Sequence, residues 1–74
     1  MKYKVGDIFV SSKVGVVTII EQQHSSDNET WFKCKVYDRE LLMERIEVLS
    51  DTTFNRWREY RIFKFYPVVG EAVK

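Results

Sequence analysis

The stretch from Trp31 to Tyr37, WFKCKVY, decides the fold of this chain because its side chains alternate between two chemical types. Successive side chains of a β-strand point to opposite faces of the sheet, so the alternation predicts a strand. Phe32, Cys34 and Val36 then share one apolar face, which we assign to the core. The opposite face holds two aromatic rings and two lysines: Trp31, Lys33, Lys35 and Tyr37.

The residues before this strand predict two further strands separated by turns. The turn signal Gly6-Asp7 is followed by the β-branched and aromatic run Ile8-Phe9-Val10. Gly15 can take the positive φ of a tight reversal, and the β-branched run from Val16 to Gln22 follows it. The polar residues 24–29 then predict a loop.

The residues after this strand predict a turn and a fourth strand. Asp38-Arg39-Glu40 has the composition of a turn, and Leu41–Glu44 predicts a strand. Residues 45–49 either extend that strand or form a single helical turn. Four carboxylates make an acidic edge in this region: Glu40, Glu44, Glu47 and Asp51. A solvated surface is a simpler interpretation of this edge than metal binding, and docking to a basic protein surface is its functional interpretation.

The C-terminal segment predicts a short helix followed by a strand. Candidate N-caps precede aromatic residues at helical spacing, Phe54-x-x-Trp57-x-x-Tyr60, so we place the helix at about Thr53–Tyr60. From Arg61 to Tyr66 the aromatic spacing is that of a strand, which Pro67 ends. An all-strand segment 53–66 stays open as an alternative. The core side chains predicted here are Phe54, Trp57, Ile62, Phe63 and Phe65.

Length and composition indicate one small, mainly β domain. The 74 residues leave no room for a second domain, and we divide them into a barrel at residues 1–66 and a tail at residues 67–74. Four or five short strands in so few residues predict an antiparallel β-sheet that closes into a small β-barrel, with a short C-terminal helix. A single cysteine excludes an internal disulfide, and the first residues hold no leader or membrane-spanning run. We therefore expect a cytoplasmic protein with no membrane partner.

Charge is distributed unevenly along the chain, although the formal net charge is only +1. Residues 1–20 carry three lysines against one aspartate, and residues 52–74 carry five basic residues against two glutamates. Residues 21–51 carry four basic residues against eight acidic ones. If the two ends meet in space, one face is positive and the opposite face negative, a pattern typical of domains that bind nucleic acid or an oppositely charged protein.

The sequence contains no pattern typical of catalysis or metal binding. It has no glycine-rich phosphate loop and no His-x-x-x-His pair. His24 lies in a predicted polar loop and Cys34 on the predicted core face, so a solvated imidazole and an inert thiol are the simpler interpretations. We expect no enzyme activity, no metal and no small-molecule cofactor.

The order of these elements resembles a known class of fold. The opening KVGDIFVSSKVGVVTIIE, residues 4–21, followed by Trp31–Tyr37 and Leu41–Ile46, resembles SH3-like barrels. It looks most like Tudor-like and KOW-like barrels, and it is similar in layout to the RNA-polymerase-interacting domain of CarD-type transcription regulators. It also resembles small phage-encoded barrels. The resemblance covers residues 3–49 and implies binding to nucleic acid or to a transcription protein, whereas the segment 54–66 has no counterpart in these families.

Two classes of partner stay open, nucleic acid and protein. In a nucleic-acid interface, rings stack on bases and cations contact phosphates. The candidate residues for this interface are Trp31, Lys33, Lys35, Tyr37, Arg56, Arg58, Arg61 and Lys64. The alternative is an adaptor or inhibitor, including a phage-encoded one, that docks on a protein through the Leu41–Glu44 edge and exposed aromatics. In a purely structural interpretation, the same rings complete the thin core while the lysine stems lie along it.

Overall fold

The computed structural model describes residues 3–69 and contains five antiparallel strands and one short helix. In chain order the elements are β1 (Ile8–Ser11), β2 (Gly15–Ser25), β3 (Thr30–Asp38), β4 (Met43–Ser50), α1 (Asp51–Glu59) and β5 (Lys64–Tyr66). The predicted mainly β class, with a short helix near the C-terminus, is confirmed.

The strands form one sheet in the order β4-β3-β2-β1-β5. β1 to β4 are joined by sequential antiparallel pairing, whereas β5 returns from the far end of the chain to pair with β1, placing Phe65 opposite Phe9. In the sheet formed by residues 3–69, the two edge strands are β4 and β5, and they do not pair with each other. The hydrogen-bonded ladder is therefore open, and the predicted closure into a barrel is not made by strand pairing.

The core lies between the inner face of the sheet and α1. Phe54 of α1 is fully buried and its ring lies 4.7 Å from that of Phe9 and 5.8 Å from that of Phe32, between centroids. Burying one such ring contributes about 1.5–3 kcal/mol, which a domain of this size needs. The predicted core positions Phe32, Cys34 and Val36 are all buried, as the alternation required.

The prediction of a core position is wrong for one residue, Ile62. Ile62 is 47% exposed because it lies in the turn that closes α1, where its amide donates to the carbonyl oxygen of Trp57. Arg61 takes a left-handed φ of 57° there, so the chain reverses before β5 begins. The strand predicted at Arg61–Tyr66 consequently contains only Lys64–Tyr66.

The helix begins two residues earlier than predicted. Ser50 is its N-cap, with extended backbone and a side-chain oxygen that accepts the amide of Thr53. Because Ser50 is also the last residue of β4, strand and helix join without a loop. The helical alternative is therefore the correct one for residues 51–59.

The predicted strand at Leu41–Glu44 is wrong in its first half. Residues 39–42 form the turn between β3 and β4, because Asp38 Oδ1 accepts the amides of Glu40 at 2.9 Å and Leu41 at 3.0 Å. Leu42 completes the reversal with a φ of 56°. β4 then runs unbroken to Ser50, without the helical turn considered for residues 45–49. The predicted loop at 24–29 is also shorter, since β2 extends to Ser25.

Part of the predicted tail packs against the first turn. The buried carboxylate of Asp7 accepts the amide of Lys4 at 2.9 Å and the amide of Val68 at 2.8 Å. Residues 1–2 of the predicted domain and residues 70–74 of the predicted tail lie outside the described residues.

Candidate nucleic-acid interface

The outer face of the sheet, defined as the face opposite α1, carries the four side chains that the alternation predicted. β3 presents Trp31, Lys33, Lys35 and Tyr37 on it. Alternate residues of a strand lie about 7 Å apart, so this line of rings and cations is about 20 Å long. Within residues 3–69, no helix or strand covers this face, because α1 packs on the inner side through Phe54.

The strand register extends this line into a surface. Two rows of directly paired residues cross it from β3 to β5: Tyr37–Val16–Val10–Lys64 and Lys35–Thr18–Ile8–Tyr66. Each row spans three strand spacings, about 14 Å. Each row has a ring at one end and a cation at the other: Tyr37 and Lys64 in the first row, Tyr66 and Lys35 in the second. The side chains between these ends are neutral. The outer face thus has rings and cations on both flanks of these two rows, while Glu21 of β2 adds a carboxylate opposite Lys33.

A second basic group lies at the β5 edge. Arg61 and Lys64 line a groove together with Lys13 and Tyr66. The Lys64 ammonium lies 5.7 Å from the centroid of the Tyr66 ring, close enough for a cation–π contact. Since Lys64 pairs with Val10 on the outer face, this groove borders that face.

The helix arginines lie on the other side of the sheet. The Arg58 guanidinium carbon is 4.5 Å from the centroid of Phe65, whose ring faces the core. Arg56 is exposed in the last turn of α1, where a positive charge complements the helix dipole. The structure therefore divides the predicted set. The β3 residues and Lys64 share the outer face with Arg61 at its border. Arg58 approaches from the inner side and lines a groove with Arg61 and Lys64 at the β5 edge, whereas Arg56 stays behind the sheet.

Ion pairs leave the lysines of β3 available. Lys33 Nζ lies 3.8 Å from Glu21 Oε1, but both side chains are well exposed, and such surface pairs contribute little stability. Lys35 has no ion pair within residues 3–69. Glu44 of β4 is paired with Tyr37 of β3, so the outer face carries a carboxylate at its β4 edge.

The residues considered for catalysis have structural surroundings. Cys34 is fully buried, and burial, with a smaller contribution from the nearby charge of Glu47, raises the pKa of its thiol to about 12. The His24 ring is exposed and stacks near Trp31, with centroids 6.4 Å apart. In the described part of the chain, no three His, Cys, Asp or Glu side chains are grouped to hold a metal ion. No helix there is long and apolar enough to cross a membrane.

One depression lies away from the outer face. It has a volume of about 740 Å³ and is lined by Tyr3, Lys4, Gln22, Ser25, Thr30, Phe32 and Asp51. Its two charged residues have opposite signs, and the Asp51 carboxylate already accepts the amide of Thr30 at 3.3 Å. It therefore presents no converging set of cations or acid–base groups.

Sequence reasoning missed two residues of the surface, Lys13 and Tyr66. The alternation of the C-terminal segment had placed Tyr66 beside Lys64, which was the available signal. Lys13 lies in the β1–β2 turn, and its approach to Arg61 depends on the pairing of β1 with β5. No local pattern in the sequence reveals a pairing between segments so far apart.

Comparisons with protein-family models, with curated proteins and with solved structures found no match to this chain. The mainly β fold and the arrangement of the outer face therefore carry the functional argument by themselves.

Proposed function

We propose that this chain is a non-enzymatic module that binds single-stranded nucleic acid across the outer face of its sheet. The observation that carries the proposal is the line of Trp31, Lys33, Lys35 and Tyr37 along an uncovered strand. Aromatic side chains stack on bases of any identity, and lysines beside them neutralise the phosphates of the same strand. The proposal includes the SH3-like identity, of the Tudor-like, KOW-like or CarD type, and an action on nucleic acid or a nucleic-acid-bound transcription complex.

The dimensions of the face suit an unpaired strand. The line on β3 is about 20 Å long, which accommodates three or four extended nucleotides. Trp31 and Tyr37 at its two ends would stack on the outer bases, and Lys33 and Lys35 between them would contact the phosphates. Lys64 and Arg61 on the β5 flank offer further cations to the same backbone. A duplex hides its base faces within the stack, so the exposed Tyr37 and the half-buried Trp31 favour a single strand.

The test is a titration of a labelled 12-nucleotide single strand, followed by fluorescence anisotropy at 50 and 200 mM salt. Three lysines of the outer face that contact phosphates give a slope of about −2 in log affinity against log salt, so affinity falls about 15–20-fold between the two salt concentrations. Removal of a stacking ring by Tyr37→Ala lowers affinity about 5- to 100-fold. An affinity that does not change with salt argues against the proposal.

Two charge reversals of equal size locate the interface. Lys35→Glu lies in the line on β3, and Arg56→Glu lies on the exposed side of α1, behind the sheet. We expect Lys35→Glu to lower affinity about tenfold and Arg56→Glu to change it less than twofold. If both variants weaken binding equally, only net charge matters and the outer face is not the site.

Protein docking is a second candidate, favoured by the exposed apolar side chains where β3 turns into β4. Leu41, Leu42 and Met43 are 62%, 73% and 54% exposed. An adaptor or inhibitor that docks through this turn would bind with weak salt dependence, because its contacts are apolar. The test is capture of partners by immobilised protein, compared with a Leu41→Ser/Leu42→Ser variant. A partner retained equally by both forms excludes this turn as the docking element.

A further inference from the structure

β4 is the longer of the two edge strands of the sheet. It has eight residues, contains no proline and pairs with β3 without a bulge from Trp31 to Asp38. No described residue hydrogen-bonds to its other side. The opposite edge, β5, has only three residues and is followed by Pro67. Long edges with unpaired backbone groups are templates for strand addition, whereas short edges ended by proline resist it.

We propose that β4 pairs antiparallel with β4 of a second copy of this chain, centred on Ile46. The argument is the charge pattern of the strand, Met43-Glu-Arg-Ile-Glu-Val-Leu-Ser50. Centred on Ile46, the pairing places Arg45 of each copy opposite Glu47 of the other. It also places Ile46 against its own symmetry mate and Val48 against Glu44. The proposal holds whether or not the outer face binds nucleic acid.

The charges select this register over its neighbours. For the outer faces of the two sheets to stay on the same side, the register can shift only in steps of two residues. One such shift places Arg45 opposite Arg45 of the partner, and the other places Glu47 opposite Glu47. Like charges directly opposite each other destabilise a strand pair, and opposite charges stabilise it. The register centred on Ile46 therefore has two attractive pairs, both Arg45 with Glu47. Each neighbouring register has instead a repulsive pair of identical charges.

Arg45 and Glu47 lie on the same face of β4, at the positions paired with Val36 and Cys34 of β3. Arg45 donates to the carboxylates of Asp38, at 3.0 Å, and of Glu47 on its own strand. Alternate residues on a strand lie about 7 Å apart and opposed residues about 5 Å apart. The two copies of Arg45 and Glu47 consequently form a rectangle of alternating charge across the two-fold axis.

The outer side of the same strand carries Ile46 and Val48 beside Glu44, and the two apolar side chains gain burial from the pairing. Ile46 is 53% exposed and Val48 is 49% exposed. In the pair, the outer faces of both copies join into one ten-stranded sheet, with the two β3 lines about 14 Å apart. One pair of strands buries less surface than the roughly 1,200 Å² of a stable complex, so we expect weak self-association, with a dissociation constant of about 0.1 mM.

The test measures self-association by sedimentation equilibrium of the full chain between about 10 µM and 1 mM. Arg45→Glu makes the strand acidic and Glu47→Arg makes it basic. Each variant alone loses self-association about tenfold or more, while an equimolar mixture of the two regains it as a heterodimer. Glu44→Arg is the matched control: it changes net charge as Glu47→Arg does, but faces Val48, and it leaves association within about twofold.

A cross-link tests the register without reversing any charge. Ile46→Cys brings two thiols onto the axis with Cα atoms about 5 Å apart, within reach of a disulfide, and oxidised glutathione accepts the two electrons as it forms. Val48→Cys places the two Cα atoms about 14 Å apart and gives no cross-link. Cys34 is buried and stays unreactive. A wild-type chain that is monomeric at about 1 mM, a mixture that does not associate, or equal cross-linking of both cysteine variants overturns the proposal.

Discussion

Replacing Gly15 by alanine should destabilise this protein more than the same replacement at Gly6, the other glycine with a positive φ among residues 3–69. Gly15 begins β2 with a φ of +139°, which L-residues with a Cβ rarely adopt. A Cβ built at this position lies 1.9 Å from the carbonyl oxygen of Tyr37 and 3.2 Å from the amide nitrogen of Arg39. Backbone atoms of the neighbouring strand occupy the space, so no side-chain rotation relieves the contact.

The magnitude follows from three contributions. The backbone conformation costs a non-glycine residue about 1–3 kcal/mol. The carbonyl of Tyr37 must also retreat by about 1 Å before the contact reaches even the shortest distance that real Cβ atoms show. That movement disturbs the first pair of β2 and β3 and the 3.0 Å bond from Arg39 to the Val14 carbonyl, worth about 1 kcal/mol. The displacement itself costs about 1–3 kcal/mol, as overpacking does in general. We expect a total loss of about 3–7 kcal/mol, against a total stability of about 4–11 kcal/mol for a chain of this length.

Gly6→Ala is the matched control because Gly6 also has a positive φ, +101°, but its added Cβ meets only the side chain of Val68 at 3.0 Å. Its loss should be about 1–3 kcal/mol, mostly backbone strain, and Val68→Ala in the same chain should recover only the steric part. The assay is urea unfolding followed by tryptophan fluorescence and far-ultraviolet circular dichroism. A Gly15→Ala protein within about 1 kcal/mol of wild type would show that the reasoning from the Tyr37 contact is wrong.

Two further predictions concern buried groups. The thiol of Cys34 has a pKa of 9.0 in the unfolded chain and about 12 in the folded one. Its contribution to the free energy of unfolding is therefore complete below pH 9. Between pH 9 and 12 that contribution falls by about 1.4 kcal/mol per pH unit, because the unfolded chain loses the proton first. The stability difference between wild type and Cys34→Val should change by that slope between pH 9 and 11, and a constant difference contradicts the burial of the thiol. Asp7→Ala removes the acceptor of the Lys4 and Val68 amides and should cost about 2–4 kcal/mol, measured by urea unfolding and by faster hydrogen exchange at Val68. Unchanged exchange at Val68 would show that its amide does not depend on this carboxylate.

The sequence determined the features that depend on neighbours along the chain. Strand alternation predicted that Phe32, Cys34 and Val36 are buried while the lysines between them face outward, and the structure confirms both. Helical spacing from Phe54 to Trp57 predicted a helix with Phe54 in the core, and that is also confirmed. These patterns are reliable because the geometry of a strand or a helix fixes the direction of each side chain relative to the next.

Boundaries were less predictable because single hydrogen bonds decide them. The carboxylate of Asp38 holds the amides of Glu40 and Leu41, which turns a predicted strand into a tight reversal. The cap at Ser50 starts the helix early, and the left-handed Arg61 exposes Ile62. Each of these residue types occurs in several conformations, so composition alone does not select one.

Only the tertiary structure decided which strands are neighbours and which edge is free. The pairing of β1 with β5 brings Lys64 and Tyr66 onto the outer face and separates Arg56 from the lysines of β3. That pairing arises because Phe9 and Phe65 must share one core with Phe54, a condition imposed by burial across more than fifty residues of chain. The alternation of a strand is a property of adjacent residues, whereas the surface that a sheet presents to a partner depends on contacts that form only when the whole chain folds.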